Sequence, residues 1–127
     1  MTTLYATAVH EVGAEAPDLI AGGVLILFAA GAPPELAEVS VLHTGAGEAG
    51  EAPAAGDILR IGARDFRITA VGDTAWAKVR EIGHVVFSFT GADAADRPGE
   101  ICVAPAPGVD LAGLLAPGTP LAIVRAG

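Results

Sequence analysis

Between Gly56 and Gly91 the apolar positions change period twice, and each change predicts an element. Ile58 to Ile61 and Phe66 to Val71 are β-branched or aromatic-rich runs on either side of the turn-former Gly62, with Arg64 and Asp65 at the bend, which is the pattern of a hairpin. Beyond Gly72 the apolar residues Ala75, Val79 and Ile82 recur at helical spacing. They predict a helix of about two turns, started by Asp73 or Thr74 and ended by a left-handed Gly83. From His84 to Phe89 the period returns to that of a strand, with Val85, Phe87 and Phe89 on one face and His84, Val86 and Ser88 on the other.

The flanking chain carries further strand patterns. Leu4 to Val12 predicts a first strand closed by Gly13, and Ala14 to Gly23 reads as loop. VLILF at Val24 to Phe28 is continuously apolar and too short for a helix, which predicts a central strand buried on both faces. Pro34 and Glu35 can start a single helical turn. Val39 to Thr44 is a strand on which Val39, Val41 and His43 share a face, and Gly45 to Gly56 is a long loop of small residues, of the kind that is often functional. Ala92 to Gly99 is a polar loop. Ile101 to Ala104 predicts a short strand stopped by Pro105 and Pro107, Val109 to Leu115 fits no single period, and the Pro117-Gly118 turn feeds a last strand at Leu121 to Val124. AGDILRI at Ala55 to Ile61 and PGTPLAI at Pro117 to Ile123 echo one another, over too short a length to define a repeat. The pattern predicts an all-β protein, a closed or nearly closed barrel of about seven short strands with one short helix.

Composition narrows the class. The 127 residues suit one domain with a real core, and 52% hydrophobic against 17% charged residues argues for a globular chain. The 17 Gly and 9 Pro supply many turns. A formal charge of −8 argues against nucleic acid or an anionic membrane surface and permits a basic protein partner. The lone Cys102 cannot form an internal disulfide, and the N-terminus has neither a basic lead nor a signal-length apolar run, which predicts a cytoplasmic location without membrane insertion.

The candidate chemistry reduces to histidine. There is no phosphate-binding glycine motif before a helix, and His10, His43 and His84 lack neighbours at metal-ligand spacing, so neither a metal nor a cofactor is expected. Ser40 and Ser88 lack the glycine elbow of an exposed nucleophile, and Cys102 among apolar residues reads as a buried inert thiol. His43 has two readings: a core or rim histidine satisfied by a backbone carbonyl, or a nucleophile or acid/base at the lip of a loop. His84, at the start of a strand, has the same two. His10, among alanines, reads as structural.

The segments FAAGAPPEL (Phe28 to Leu36), GDILRIG (Gly56 to Gly62), ITAVG (Ile68 to Gly72) and REIGHVVFSFTG (Arg80 to Gly91), with His43 between the first two, resemble the glucitol/sorbitol-specific IIA component of the bacterial phosphoenolpyruvate-dependent sugar phosphotransferase system. The resemblance runs from Leu4 to about Val124. It implies a cytoplasmic all-β barrel that accepts a phosphoryl group from the histidine of HPr and passes it to the IIB domain of a sorbitol permease, alongside IIC. It also implies that His43 is the phosphoacceptor and His84, in the glycine-histidine element, a supporting residue. The sequence departs from the family pattern in having His43, Thr44, Gly45 where relatives have a second histidine, and Lys78 where an Asn is usual. Thr44 is a candidate donor in place of the missing histidine, and the backbone of Gly45 to Gly47 offers N–H groups to a phosphoryl group. The rival class is a non-catalytic β-barrel binding or regulatory module derived from the same family, and acid-labile phosphorylation separates the two. Whether the barrel closes within one chain or through a homodimer stays open.

Overall fold

The computed structural model describes residues 2–44 and 49–126. The long β1 (Thr2–Val12) leads through α1 (Ala16–Ala21) to β2 (Val24–Ala29), then through α2 (Pro34–Ala37) to β3 (Val41–His43). β4 (Ile58–Ile61) and β5 (Arg64–Val71) form the expected hairpin around Gly62, whose φ of 59° suits glycine. After them come α3 (Ala75–Ile82), β6 (Val85–Ser88), β7 (Glu100–Val103), α4 (Leu111–Leu114) and β8 (Pro120–Arg125). The eight strands close into one barrel, in the order β1-β3-β2-β6-β7-β5-β4-β8, within a single chain. Among the described residues, closure leaves no free sheet edge to cover.

Four expectations are corrected. Residues 14–23 are not simply loop: they hold α1, which begins at a proline-containing first turn and buries Ala16 and Ile20, four positions apart, against the barrel. VLILF is not buried on both faces. Leu25 and Leu27 line the interior while Val24, Ile26 and Phe28 are only half-buried, because a barrel strand has one inner face and no sheet centre to occupy. The strand ending at His43 is shorter than expected, since Val39 and Ser40 lie outside the ladder. The described residues also hold four short helices rather than one, α4 being a single turn whose start is capped by the Asp110 carboxylate accepting from the Gly113 N–H.

Two copies of one unit build the barrel. In the first, β1 runs antiparallel to β3 with Val12 opposite Val41, and β2 runs parallel to β3 with Leu27 opposite Val41. In the second, β5 runs antiparallel to β7 with Val71 opposite Ile101, and β6 runs parallel to β7 with Phe87 opposite Ile101. Both antiparallel ladders break register at matching places, between Val9 and Glu11 and between Ile68 and Ala70. At the end of the first strand, the Gly13 N–H donates to Ser40 O and the Gly72 N–H to Glu100 O. Each glycine passes where a Cβ would strike backbone, at 2.1 Å from Ala37 O and 2.3 Å from Pro98 O respectively. The short echo between AGDILRI and PGTPLAI belongs to the same relation: β8 flanks β1 as β4 flanks β5, and Gly118 N–H donates to Val9 O as Gly56 N–H donates to Ile68 O, both at 2.8 Å. Packing of these inner faces against one another, closed by Leu59, Ile61, Leu121 and Ile123, makes the core.

Candidate functional site

The inner face of β1 carries Tyr5, Thr7 and Val9, which are buried, while Ala6 and His10 face outward and are exposed. β3 lies beside it with His43 opposite Val9, so the imidazole enters the barrel wall diagonally across from Thr7. His43 is 1% exposed. Its Nδ1 lies 2.9 Å from Thr7 Oγ1, and its Nε2 lies 2.7 Å from the carbonyl oxygen of Gly83. A carbonyl can only accept, so Nε2 carries the proton and Nδ1 accepts from the Thr7 hydroxyl. The Tyr5 ring meets the imidazole edge-on, with centroids 6.1 Å apart. Beside them is a small cavity of about 10 Å3, lined in part by Tyr5, Thr7, Leu27 and Gly83, at the threshold for one water molecule. Burial holds the pKa of His43 below the ordinary histidine value, and the bond to the Gly83 carbonyl offsets part of that. The resting ring is therefore neutral at pH 7.

Gly83 ends α3 in the left-handed conformation, with φ of 64°, as expected from its place after the helix. Its geometry excludes a side chain for a second reason: a Cβ there would lie 3.1 Å from His43 Nε2 and 3.0 Å from the Ala29 Cβ. The next residue, His84, is half-buried, its Nδ1–H donating to Leu27 O at 3.0 Å and its ring stacked obliquely on Phe28 with centroids 4.9 Å apart. The structure thus brings the two singled-out histidines to one joint, where the chain after α3 crosses the end of β2, and links His43 to the peptide that precedes His84. The other candidates are more peripheral. Thr44 is exposed and its N–H extends the β1 ladder by donating to Ala8 O at 3.1 Å. Lys78 is exposed on α3. Gly45 to Gly47, the predicted backbone donors, lie outside the described residues.

His43 departs from the expected accessibility. A nucleophile at the lip of a loop is expected to be reachable, whereas all three residues of β3 are buried and the ring is enclosed from both sides. Of its two sequence readings, the histidine satisfied by a backbone carbonyl describes this resting geometry. Thr7 and the Gly83 carbonyl were not singled out from sequence. A signal for Thr7 exists in the inward phase of β1, where it is the polar member between Tyr5 and Val9. The far end of the loop after β3 is also anchored, since Gly50 O accepts from the Trp76 indole at 2.8 Å and from Arg80 at 2.9 Å while Gly50 N–H donates to Leu4 O. Ser40 is fully buried, Ser88 donates to a buried Glu100 carboxylate, and Cys102 is buried with its pKa raised, first by burial and then by Glu100. Among the described residues no group of three or more His, Cys, Asp or Glu could hold a metal ion, and no helix is long and apolar enough to cross a membrane.

A neutral imidazole with one nitrogen on a carbonyl and the other on a hydroxyl, set in a rigid barrel, suits nucleophilic phosphoryl chemistry that needs no metal. The comparisons with known proteins give the class. The family model of the PTS system glucitol/sorbitol-specific IIA component matches residues 4–113. The PTS system glucitol/sorbitol-specific EIIA components of Shigella flexneri and Escherichia coli (strain K12) are each 38% identical over 104 residues, covering 82% of this chain and 84% of theirs. The crystal structure of a PTS system IIA component from Enterococcus faecalis V583 matches with a TM-score of 0.72 over 94% of this chain and 99% of that one; at 24% identity it shows the shared fold. These matches in sequence define a family of histidine-phosphorylated phosphocarriers of sugar transport, of the kind that works between HPr and a IIB component. The chain belongs to the PTS glucitol/sorbitol-specific IIA component family.

Proposed function

We propose that His43 is the residue phosphorylated by phospho-HPr, that the chain passes the group to the IIB domain of a glucitol/sorbitol permease, and that it does so as one cytoplasmic domain spanning residues 1–127. The observation that carries this reading is the neutral His43 ring at the end of β3, with both nitrogens held by partners that leave its position fixed. Transfer between two imidazoles needs an unprotonated nitrogen, in-line approach and donors for the equatorial oxygens, so positioning supplies most of the catalysis. At 1% exposure the ring cannot meet a second imidazole in the resting state, so the reaction includes a step that uncovers it. His84, one peptide from the Gly83 carbonyl, supports the uncovered ring or the phosphoryl group. The acidic chain favours a basic docking face on HPr, which raises the encounter rate more than the affinity.

Incubation with phosphoenolpyruvate, enzyme I and HPr should give an acid-labile, alkali-stable phosphoramidate on His43. His43→Ala should abolish it, and His84→Gln should slow transfer while leaving a protein that can be phosphorylated. Undiminished labelling of His43→Ala would move the acceptor to another histidine, and an unlabelled wild type would remove transfer from this chain altogether.

A further inference from the structure

The two units of the barrel differ in polarity at one place on their inner walls. Where the first unit has Thr7 and His43, the matching positions of the second are Phe66 and Val103: Phe66 faces Leu59 across β4 and β5 as Thr7 faces Leu121 across β8 and β1, and Val103 lies opposite Ile68 as His43 lies opposite Val9. The same backbone therefore packs soundly with two apolar side chains at these sites, and the fold does not require a hydroxyl at position 7. Thr7 is 9% exposed, and its Oγ1 meets His43 Nδ1 at 2.9 Å.

Its setting differs from that of the group on the other nitrogen. Thr7 sits in the middle of β1, a strand hydrogen-bonded in ladders to β3 and β8, and the cavity beside it, about 10 Å3, has room for no more than about one water molecule. Gly83 is a half-buried helix end next to the exposed Ile82, and glycine is the residue type with the widest choice of backbone conformations. The interior side holds, and the Gly83 side can yield.

We propose that Thr7 is a positioning residue for phosphoryl transfer: it keeps hold of His43 Nδ1 while the Gly83 carbonyl withdraws, so that Nε2 becomes the nucleophile. This rests on His43 being the acceptor. In the resting protein the hydroxyl donates to Nδ1. Once Nε2 leaves the carbonyl it gives up its proton to water and water returns one to Nδ1, so the ring stays neutral and Nδ1–H donates to the same hydroxyl oxygen. A hydroxyl serves both states because it can donate and accept, which neither a carboxylate nor a methyl group does. Nε2 then forms the new N–P bond, the P–N bond to the donor imidazole breaks, and its electron pair returns to the donor nitrogen. No proton is gained or lost in the transfer itself.

The test uses full-length protein labelled with 15N in histidine, with long-range 1H–15N spectra recorded before and after phosphorylation by phosphoenolpyruvate, enzyme I and HPr. The resting ring should be protonated on Nε2, and the phosphorylated ring should carry the group on Nε2 with a proton on Nδ1. Thr7→Val should lower the maximal transfer rate about tenfold or more with little change in the phospho-HPr concentration that half-saturates it, and Thr7→Ser should restore the rate to within about threefold of wild type. Phosphorylation of His43 on Nδ1, or a folded Thr7→Val protein as fast as wild type, would overturn this inference and leave His43 as acceptor. Labelling of some other residue would overturn both.

Discussion

The two halves of this barrel share strand order, register breaks and glycine crossings, yet at two matching inner-wall positions one holds a polar pair and the other two apolar side chains. In the β4–β7 half the inner wall is closed by Phe66, Ile68 and Val103, and Phe66 meets Phe89 edge-on with centroids 5.6 Å apart. In the β8–β3 half the same positions hold Thr7, Val9 and His43, and the polar pair is hydrogen-bonded within itself and to the Gly83 carbonyl. The apolar half shows what the scaffold needs for stability. The polar half shows what has been added to it, at a cost in desolvation that is visible in the depressed pKa of His43. A buried polar group is the informative exception in a core, and here the internal relation supplies its own control.

The comparison can be broken by substitution. Phe66→Ala should have the largest effect, about 3–5 kcal/mol of lost stability in urea unfolding, because it opens a cavity in the half that only packs. Phosphorylation of the remaining folded protein should be unaffected; a large loss of labelling would mean that the halves are not separable in function.

A smaller effect separates two matching glycines, Gly23 before β2 and Gly83 before His84. Both are left-handed, with φ of 90° and 64°, and alanine at either costs about 1–2 kcal/mol for the backbone alone. Around Gly23 the nearest neighbour to a Cβ is the Phe89 Cβ at 4.0 Å, whereas around Gly83 it meets Ala29 and the His43 ring within about 3 Å. Gly83→Ala should therefore be the more destabilising of the two and should alone shift the His43 ring resonances. Equal losses in thermal or urea unfolding, with an unmoved ring, would refute the close approach.

The smallest effect is on pH dependence. The unfolded chain protonates His43 near the ordinary value of about 6.5, while the folded ring resists protonation, so this group's stabilising contribution is complete above about pH 6.5 and is lost as pH falls below it. His43→Val, which makes the first half resemble the second, should flatten the decline in stability between about pH 7.5 and about pH 5.5. An NMR titration midpoint for His43 above the ordinary value would reverse the sign and contradict the burial.

Local pattern determined most of the elements by itself. The Gly62 hairpin, the helix from Ala75 to Ile82 with Gly83 as its left-handed end, and the strand after His84 are set by side-chain period and by glycine conformations that depend on neighbours in sequence, so they are legible without the fold. The all-β barrel follows from many short strands, and the histidines stand out because the other chemistry is missing. Tertiary structure decided the rest. The α1 segment buries Ala16 and Ile20 and packs on β2 and on α4, far along the chain, which no local period of so short a stretch reveals. The repeat of the two units is carried by register and hydrogen bonding, with side chains as different as His43 and Val103 in matching places, so the short echo of AGDILRI and PGTPLAI and a few matching glycines are its faint trace in sequence. The enclosure of His43 depends on Thr7, 36 positions away, and on the Gly83 carbonyl, 40 positions away. Such contacts arise from barrel closure, and a one-dimensional pattern can show which face a residue takes on its strand but not what stands across from it.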